Sequence, residues 1–315
     1  MKILIAILCC LSYFNLSSQQ LSISYFNNNN PELFNPSAWN TDILKYRIKT
    51  SNQLFAYYRS QWTGLDLGPK YLGAHYSHLS KYNTIIGLGI KQESFGPYTY
   101  SNLSSQYAFR IEFKNNAFIS AGGKASINFY TYNPNKIKIT DPDDPIAESN
   151  ENYIGASFSP GIFYTKSYKN DITLSVGASY DNWINLLFIS NENQVISKSY
   201  LIHGSLIKFL TTGYDRLSYY ELSFIYRQWY KLTNDINLSF KYQWKGYLSI
   251  RPGIRFGTIE DFNLHSFHFD IGLPISNLFQ KNKFGIDINY SSDFPLQKNV
   301  SQFGLSHELS IGWLF

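Results

Sequence analysis

The chain has 315 residues, of which 18% are aromatic, including 26 tyrosines and 24 phenylalanines, and its formal net charge is +5. The basic residues are scattered rather than grouped, which argues against nucleic-acid binding. The only two cysteines, Cys9 and Cys10, lie in an apolar stretch near the start. If that stretch is removed, the remaining chain has no disulfide, no thiolate metal site and no cysteine nucleophile.

The first 18 residues read as a signal peptide. Met1-Lys2 is followed by an apolar run from Ile3 to Leu11 and then by small and polar residues up to Ser18, after which we expect cleavage. The apolar run is shorter than the roughly 20 residues of a membrane-spanning helix. A retained helix and a lipid-modified cysteine are the less favoured alternatives. Residues 19–53 would then form an N-terminal segment that is either periplasmic or plugs a lumen.

From residue 54 to residue 315 the chain alternates between polar and apolar residues. In the clearest stretch, Asn237, Ser239 and Lys241 share one face, and Leu238 and Phe240 share the other. The alternating runs reach about 10 residues, the length with which a tilted strand crosses the hydrocarbon layer, whereas strands of soluble sandwiches are usually shorter. The pattern predicts an all-β fold, a transmembrane antiparallel outer-membrane β-barrel of about 14 strands. The expected strands are 54–62, 70–79, 83–94, 98–113, 117–132, 153–165, 171–182, 199–209, 217–230, 236–245, 247–257, 262–273, 282–291 and 303–315.

Two stretches, 133–152 and 183–198, lack the alternation and are predicted to be long extracellular loops, if the amino terminus of the barrel is periplasmic. Short connections such as 79–83 and 115–116 would then face the periplasm. The first long stretch contains Asp141, Asp143 and Asp144, whose oxygens could bind Ca²⁺. Because the spacing lacks the closing glutamate of an EF-hand, a proline-stiffened acidic turn is the preferred interpretation, and we predict no metal and no cofactor.

The last strand ends in an aromatic residue. Leu309, Ile311, Trp313 and Phe315 alternate onto one face. This pattern is typical of the terminal strand by which outer-membrane barrels are recognised for assembly, and an ordinary last strand is the alternative.

Candidate catalytic groupings do not have the geometry that catalysis needs. His75 and His78 are an odd number of residues apart, so they point to opposite faces of a strand. Ser266, His268 and Asp270 share one face, but neighbours two residues apart lie roughly 7 Å from each other, too far for a hydrogen-bonded triad. We therefore expect no enzyme. Inward charges of both signs also argue against a simple ion-selective pore.

Several motifs in the first half of the chain occur in a familiar order. They are Asn35-Pro36-Ser37-Ala38, Tyr58-Arg59-Ser60-Gln61-Trp62-Thr63-Gly64, Gly68-Pro69 and Asp141-Pro142-Asp143-Asp144-Pro145. This order resembles the PorP/SprF family of Bacteroidetes outer-membrane proteins through about residue 185. Beyond that point the sequence shows the barrel pattern alone, and Ser37-Ala38-Trp39-Asn40 departs from the Ala-Tyr-Ala-Gly that is usual in the family.

The resemblance implies a component of the type IX secretion and gliding apparatus that helps to export or anchor a large surface protein, often an adhesin. It also implies contacts with periplasmic or outer-membrane secretion components and with outer-membrane lipid. For Arg59, pairing with Glu112 or another lumen carboxylate and contact with a partner are both open. A diffusion channel or hydrophobic-substrate transporter is the alternative function, and a barrel enzyme comes after it. The candidate partner-binding residues are Trp39, Arg59, Gln61, Asp66, Lys70, Asp141, Asp144 and Trp183.

Overall fold

The protein folds into one antiparallel sheet that closes on itself. The computed structural model describes residues 30–39, 51–136, 152–168, 171–189, 198–210, 218–229, 234–258, 262–275, 285–296, 301 and 304–315. Fifteen strands are assigned in this part of the chain: β1 Asn52–Ser60, β2 Lys70–Leu79, β3 Thr84–Phe95, β4 Tyr98–Phe113, β5 Ala117–Tyr132, β6 Asn152–Tyr168, β7 Ile172–Asp181, β8 Ile184–Ile189, β9 Ser199–Phe209, β10 Tyr219–Trp229, β11 Asn234–Trp244, β12 Leu248–Thr258, β13 Phe262–Pro274, β14 Gly285–Pro295 and β15 Ser306–Leu314.

The ring closes where the first strand meets the last. β1 pairs with β15 from Gln53 opposite Leu314 to Ser60 opposite His307, and it pairs with β2 on its other side. The remaining strands follow chain order around the wall, and β7 is joined directly to β9. Because β1 and β15 pair with each other, the seam leaves neither strand with an unpaired edge, and their backbone groups are satisfied within lipid.

β7 and β8 together fill a single place in the ring. The second half of β6 pairs with β7, and its first half pairs with β8, after an interruption at Asn182, where φ is +53°. The wall is therefore a barrel of 14 strands, which confirms the predicted fold class. The prediction that all of 183–198 is a loop is wrong for Ile184–Ile189. This segment is apolar at nearly every position, so it shows no alternation that could reveal a strand.

The two ends of the barrel differ. At one end, which we call the terminal end, the backbones of Asn52 and Phe315 exchange hydrogen bonds of 3.0 and 3.1 Å. Short connections such as 80–83 and 114–116 lie there, together with longer ones at 210–218 and 275–284, and Asn83 and Asn116 adopt positive φ angles of 58°, a conformation that asparagine tolerates better than most residues. The opposite end, the loop end, carries the connections 61–69 and 133–151.

The outer face of the wall is apolar and the inner face is polar. Leu309, Ile311, Trp313 and Phe315 all point outward with 39–48% of their surface exposed, so the four residues of the predicted assembly signal share the lipid face. Serine, asparagine, glutamine and arginine side chains are buried inside. This is the reverse of a soluble protein and is typical of a membrane barrel.

No helix in the described part of the chain is long and apolar enough to span a bilayer.

One side of the barrel is taller than the rest. β4, β5 and β6 contain 16, 16 and 17 residues, more than the roughly 10 that cross the hydrocarbon layer. On the outer face of β3 and β4, apolar residues such as Ile90 and Leu103 give way to Gln92, Thr99 and Ser101 toward the loop end. This part of the wall therefore extends beyond the apolar band.

Candidate functional site

Residues 30–39, which we call the inner segment, lie inside the barrel. The side chain of Asn35 is fully buried, and its Nδ2 donates a hydrogen bond of 3.0 Å to the carbonyl of Ile162 and lies 3.0 Å from Nε2 of His203. The Ser37 hydroxyl donates to the carbonyl of Gly161 at 2.5 Å. The motif Asn35-Pro36-Ser37-Ala38 is thus bound to the inner wall.

The wall also reaches back to the inner segment. The hydroxyl of Ser120 donates to the carbonyl of Ser37 at 2.5 Å, and the hydroxyl of Ser179 donates to the carbonyl of Phe34 at 2.9 Å. Across the lumen, Nε2 of Gln53 donates to Oδ1 of Asn30 at 2.7 Å and to Oε1 of Glu32 at 2.6 Å. The inner segment therefore crosses the lumen from β1 to β5, β6, β7 and β9.

Two glycines of the wall make room for Asn35. A Cβ added at Gly161 would lie 2.3 Å from Oδ1 of Asn35 and 2.9 Å from Cδ of Pro36, and one added at Gly177 would lie 2.6 Å from Nδ2 of Asn35. Larger residues at these positions would collide with the segment, so the wall is shaped to hold it.

Trp39 completes the closure of the terminal end. Its side chain is 1% exposed and packs with Ile85, Ala108 and Leu314. Trp39, expected on an exposed loop as a partner contact, is instead enclosed in the lumen because the segment that precedes β1 folds inward. Apolar packing here fills this part of the lumen.

Opposite the inner segment, the lumen is braced by buried ion pairs. Arg59 lies 3.4 Å from Glu308 and 3.8 Å from Asp293, and each of these side chains is 1% exposed. Glu112, one of the partners expected for Arg59, is instead 2.6 Å from Arg110, because Glu112 lies near the terminal end of β4 whereas Arg59 lies near the loop end of β1. The geometry thus favours the bracing interpretation of Arg59.

Arg251 and Arg255 extend the same network. Arg251 is 3.7 Å from both Glu221 and Asp270, and Arg255 is 3.4 Å from Asp235. Ser291 also donates to Asp270 at 2.5 Å. Asp270 is therefore engaged by an arginine and a serine of neighbouring strands.

Between the inner segment and the loop end lies a chamber of about 460 Å³. Leu33 and Phe34 contribute to its lining from the inner segment, and Trp62 and Trp229 line it from the loop-end parts of the barrel. Its charged lining residues are Arg59, Lys91, Lys124, Arg227, Glu32, Glu93 and Asp181.

Lys91 and Glu93 were not among the residues singled out from the sequence, yet they lie 3.2 Å apart on the chamber wall. Their alternation with Ile90 and Gln92 could have placed them inward. No grouping of three or more histidine, cysteine or acidic residues suited to a metal ion occurs within the ranges the structure describes.

The connection between β1 and β2 forms part of the mouth. The backbone of Gln61 donates to the carbonyl of Pro69 at 2.8 Å, and that of Thr63 donates to the carbonyl of Leu305 at 3.0 Å. At Gly68 a Cβ would lie 2.6 Å from the carbonyl oxygen of Gln61. The Tyr-Arg-Ser-Gln-Trp-x-Gly stretch and the following Gly-Pro therefore build one compact turn that is fastened to the segment before β15.

The other predicted contact residues are distributed unevenly. Gln61 is 1% exposed, Asp66 and Lys70 are exposed near the loop end, and Trp183 is exposed at the break between β7 and β8. Asp141 and Asp144 lie outside the described residues, so the structure adds nothing on calcium binding there. The structure thus brings Arg59 into the lumen and leaves Asp66, Lys70 and Trp183 accessible.

The closed wall, the apolar outer band and the polar lumen define an outer-membrane β-barrel protein. Residues 15–313 match the family described as type IX secretion system membrane protein PorP/SprF. The chain belongs to this family and is a membrane component of the type IX secretion system in the outer membrane.

Comparison with solved structures adds only distant likeness. The Ralstonia pickettii toluene transporter TbuX is 8% identical, with 85% of this chain and 90% of that chain covered and a TM-score of 0.49. The CymD monoaromatic hydrocarbon channel is 8% identical, with 93% and 92% covered and a TM-score of 0.49. CdiB from Acinetobacter baumannii is 9% identical, with a TM-score of 0.44, and the match covers 85% of this chain and only 60% of CdiB. No curated protein sequence matches the chain significantly.

Proposed function

We propose that this barrel helps to export or anchor a large cell-surface protein, an adhesin of the gliding apparatus, and that it does so as an attachment site. Membership of the type IX secretion family supports a role in protein secretion. The single observation that carries the attachment role is the inner segment, which occupies the terminal half of the lumen with Asn35 and Trp39 fully or almost fully buried. A barrel filled in this way is suited to hold a partner at its mouth.

The contacts of this proposal lie at the loop end, on the extracellular side. Asp66 and Lys70 are exposed there. Exposed residues on loops carried by a rigid wall are frequent contact sites in protein interfaces. Secretion components would contact the barrel from the periplasm or within the membrane, lipid would cover its outer band, and no catalytic step is involved.

A deletion strain tests the proposal. Loss of the barrel is expected to remove a surface adhesin from the cell while uptake of small solutes stays normal. The matched variants are D66K combined with K70E at the loop end and, as a control, Q92A on the outer face of β3. Adhesin display should fall in the first and persist in the second, with equal amounts of folded barrel in both. Unchanged display in the deletion strain would refute the attachment role.

A diffusion channel or transporter is the second candidate, and the chamber is the observation that favours it. A chamber of about 460 Å³, lined by both charged and apolar residues, could admit a small solute. Steady, solute-dependent conductance of the wild-type protein in planar bilayers would support the channel, whereas a silent barrel would support attachment.

A further inference from the structure

A second cavity, of about 310 Å³, lies beside the chamber at the loop end of the tall wall. Its inner wall is formed by five tyrosines, which we call the tyrosine shelf: Tyr98, Tyr100, Tyr130, Tyr132 and Tyr153. The two cavities share Tyr71, Glu93 and Phe95 as lining residues, so they form one continuous groove. The volume of the chamber falls within the range typical of small-molecule sites, roughly 300 to 1,000 Å³, and the volume of the second cavity lies at the lower limit of that range.

The tyrosine shelf follows neighbouring strands in register. Tyr100 pairs with Tyr130, and Tyr130 pairs with Tyr153. The ring centroids are 4.5 Å apart in the first pair and 4.2 Å apart in the second, where the planes differ by only 17°. Tyr98 and Tyr132 form a further pair at 5.0 Å. Tyr130 is thus stacked between Tyr100 and Tyr153, so these three rings cover one another's faces on the inner face of three strands and leave ring edges and phenolic groups toward the cavity.

Polar contacts hold the shelf in place. The Tyr100 hydroxyl donates to Oδ1 of Asn128 at 2.9 Å, and Asn102 donates to the same oxygen at 2.6 Å. Asn128 in turn donates to the hydroxyl of Ser157 at 3.1 Å, and the ammonium group of Lys91 lies 4.9 Å from the centre of the Tyr100 ring. A site held in this way is preorganised, which lowers the entropic cost of binding.

The charges along the groove largely cancel. Lys91 lies 3.2 Å from Glu93, and Lys124 lies 3.5 Å from Asp181. Arg59 has its own carboxylate partners, as described above. Arg227 and Glu32 add one charge of each sign. An anionic ligand would meet cations already paired, and a hydrocarbon would leave these ion pairs desolvated without compensation.

We propose that the tyrosine shelf and the adjoining chamber bind a neutral oligosaccharide. Sugar hydroxyls both donate and accept hydrogen bonds, as the phenolic, amide and charged groups of the groove require, and the apolar C–H groups of a sugar ring can pack against the edges of the tyrosine stack. An extended peptide is the less favoured ligand, because the strands of this wall are paired on both sides and offer no edge for strand addition. This inference goes beyond the proposed attachment role and does not depend on it.

The test uses the full-length barrel in a detergent without a sugar headgroup. Calorimetric titration compares neutral gluco-oligosaccharides of α- and β-linkage with oligogalacturonate and a proline-rich peptide. We expect saturable binding of at least one neutral oligosaccharide, and quenching or shift of tryptophan fluorescence because Trp62 and Trp229 line the chamber.

Variants locate the binding. Y130A should weaken the affinity at least about tenfold, which corresponds to about 1.4 kcal/mol, whereas Y130F, which keeps the ring, should bind nearly as wild type does. Y107A, on the outer face with 57% of Tyr107 exposed, is the matched control and should bind normally. Heat-dependent gel mobility shows that each variant is folded.

Three results would overturn the proposal: no neutral oligosaccharide binds, Y130A and Y107A bind it equally well, or the oligogalacturonate or the peptide binds more tightly. The adhesin-display experiment has a separate readout, so failure of one proposal is distinguishable from failure of the other.

Discussion

Arg59 shows how a single residue can connect a sequence motif to the stability of the whole lumen. The residue stands in the motif Tyr58-Arg59-Ser60-Gln61-Trp62, and its guanidinium group is enclosed with Glu308 and Asp293. Removal of one partner from a buried ion pair leaves an uncompensated charge, which typically costs 3–5 kcal/mol. The carboxylates belong to β14 and β15, so Arg59 fastens both strands to β1.

We predict that R59M strongly destabilises the barrel. The loss should be about 3–5 kcal/mol, because Glu308 and Asp293 would remain buried without their cation. This loss of stability is measured by urea unfolding in detergent, with heat-dependent gel mobility as the readout. K91M is the control, since Lys91 and Glu93 are 35% and 38% exposed and such pairs contribute at most about 1 kcal/mol. Equal unfolding of the two variants would contradict the bracing role of Arg59.

At the scale of elements, the inner segment determines whether the lumen is open. Asn35 fits against Gly161 and Gly177, and even a methyl group at Gly161 would collide with Asn35 and Pro36. Both of these residues are enclosed by the wall, so neither can move aside without loosening the whole segment.

We predict that G161A opens the lumen. Displacement of the inner segment would remove its hydrogen bonds to β5, β6 and β7 and would leave a water-filled passage, so ionic conductance in planar bilayers should rise clearly above that of wild type. G312A is the matched control, because a Cβ at Gly312 makes ordinary contacts of 3.7 and 3.9 Å with Asp287 and Phe55. If G161A conducts no better than G312A, the segment is not what closes the lumen.

The alternation of polar and apolar residues predicted the wall because each strand has one face toward lipid and one toward the lumen, and this difference is visible within the strand's own sequence. Most strand ends agree with those expected to within four residues, and the bounds of Lys70–Leu79 and Tyr98–Phe113 coincide with them. The inner segment has no such pattern within its own sequence. The partners of Asn35 and Ser37 on the wall lie 83–168 residues away in sequence, so no periodic pattern could show that this polar motif is buried.

The chamber was only partly predictable for the same reason. The alternation along β3 could predict that Lys91 and Glu93 point into the lumen. Their position relative to Asp181 or Trp229, however, depends on how the strands are arranged around the barrel. Trp39 was expected among the loop residues that contact a partner, and its burial could not be predicted because its apolar neighbours Ile85 and Leu314 come from distant parts of the sequence.

At the scale of the whole molecule, the barrel depends on the seam between β1 and β15. The seam strand carries Leu309, Ile311, Trp313 and Phe315 on the lipid face. Their outward direction agrees with a role in recognition by assembly machinery, which must contact the strand before lipid does, and this role stays a prediction.

We predict that F315S impairs assembly in cells but not refolding in detergent. A recognition signal is needed only where the machinery acts, so the amount of folded barrel in the outer membrane should fall several-fold while the purified protein refolds normally. F294S is the control, since Phe294 is also outward and 39% exposed. If both variants assemble equally in cells, or if F315S fails to refold, Phe315 is not an assembly signal of this kind.

The position of the inner segment also constrains the order in which the barrel forms. Its wall hydrogen bonds beyond Gln53 go to Ser120, Ile162, Ser179 and, nearby, His203, on strands far around the ring from the seam. A curved sheet of β5, β6, β7 and β9 can therefore bind the segment while the two outer strands are still apart. The inner segment would then be bound before β1 and β15 pair, and the remaining strands would close around it.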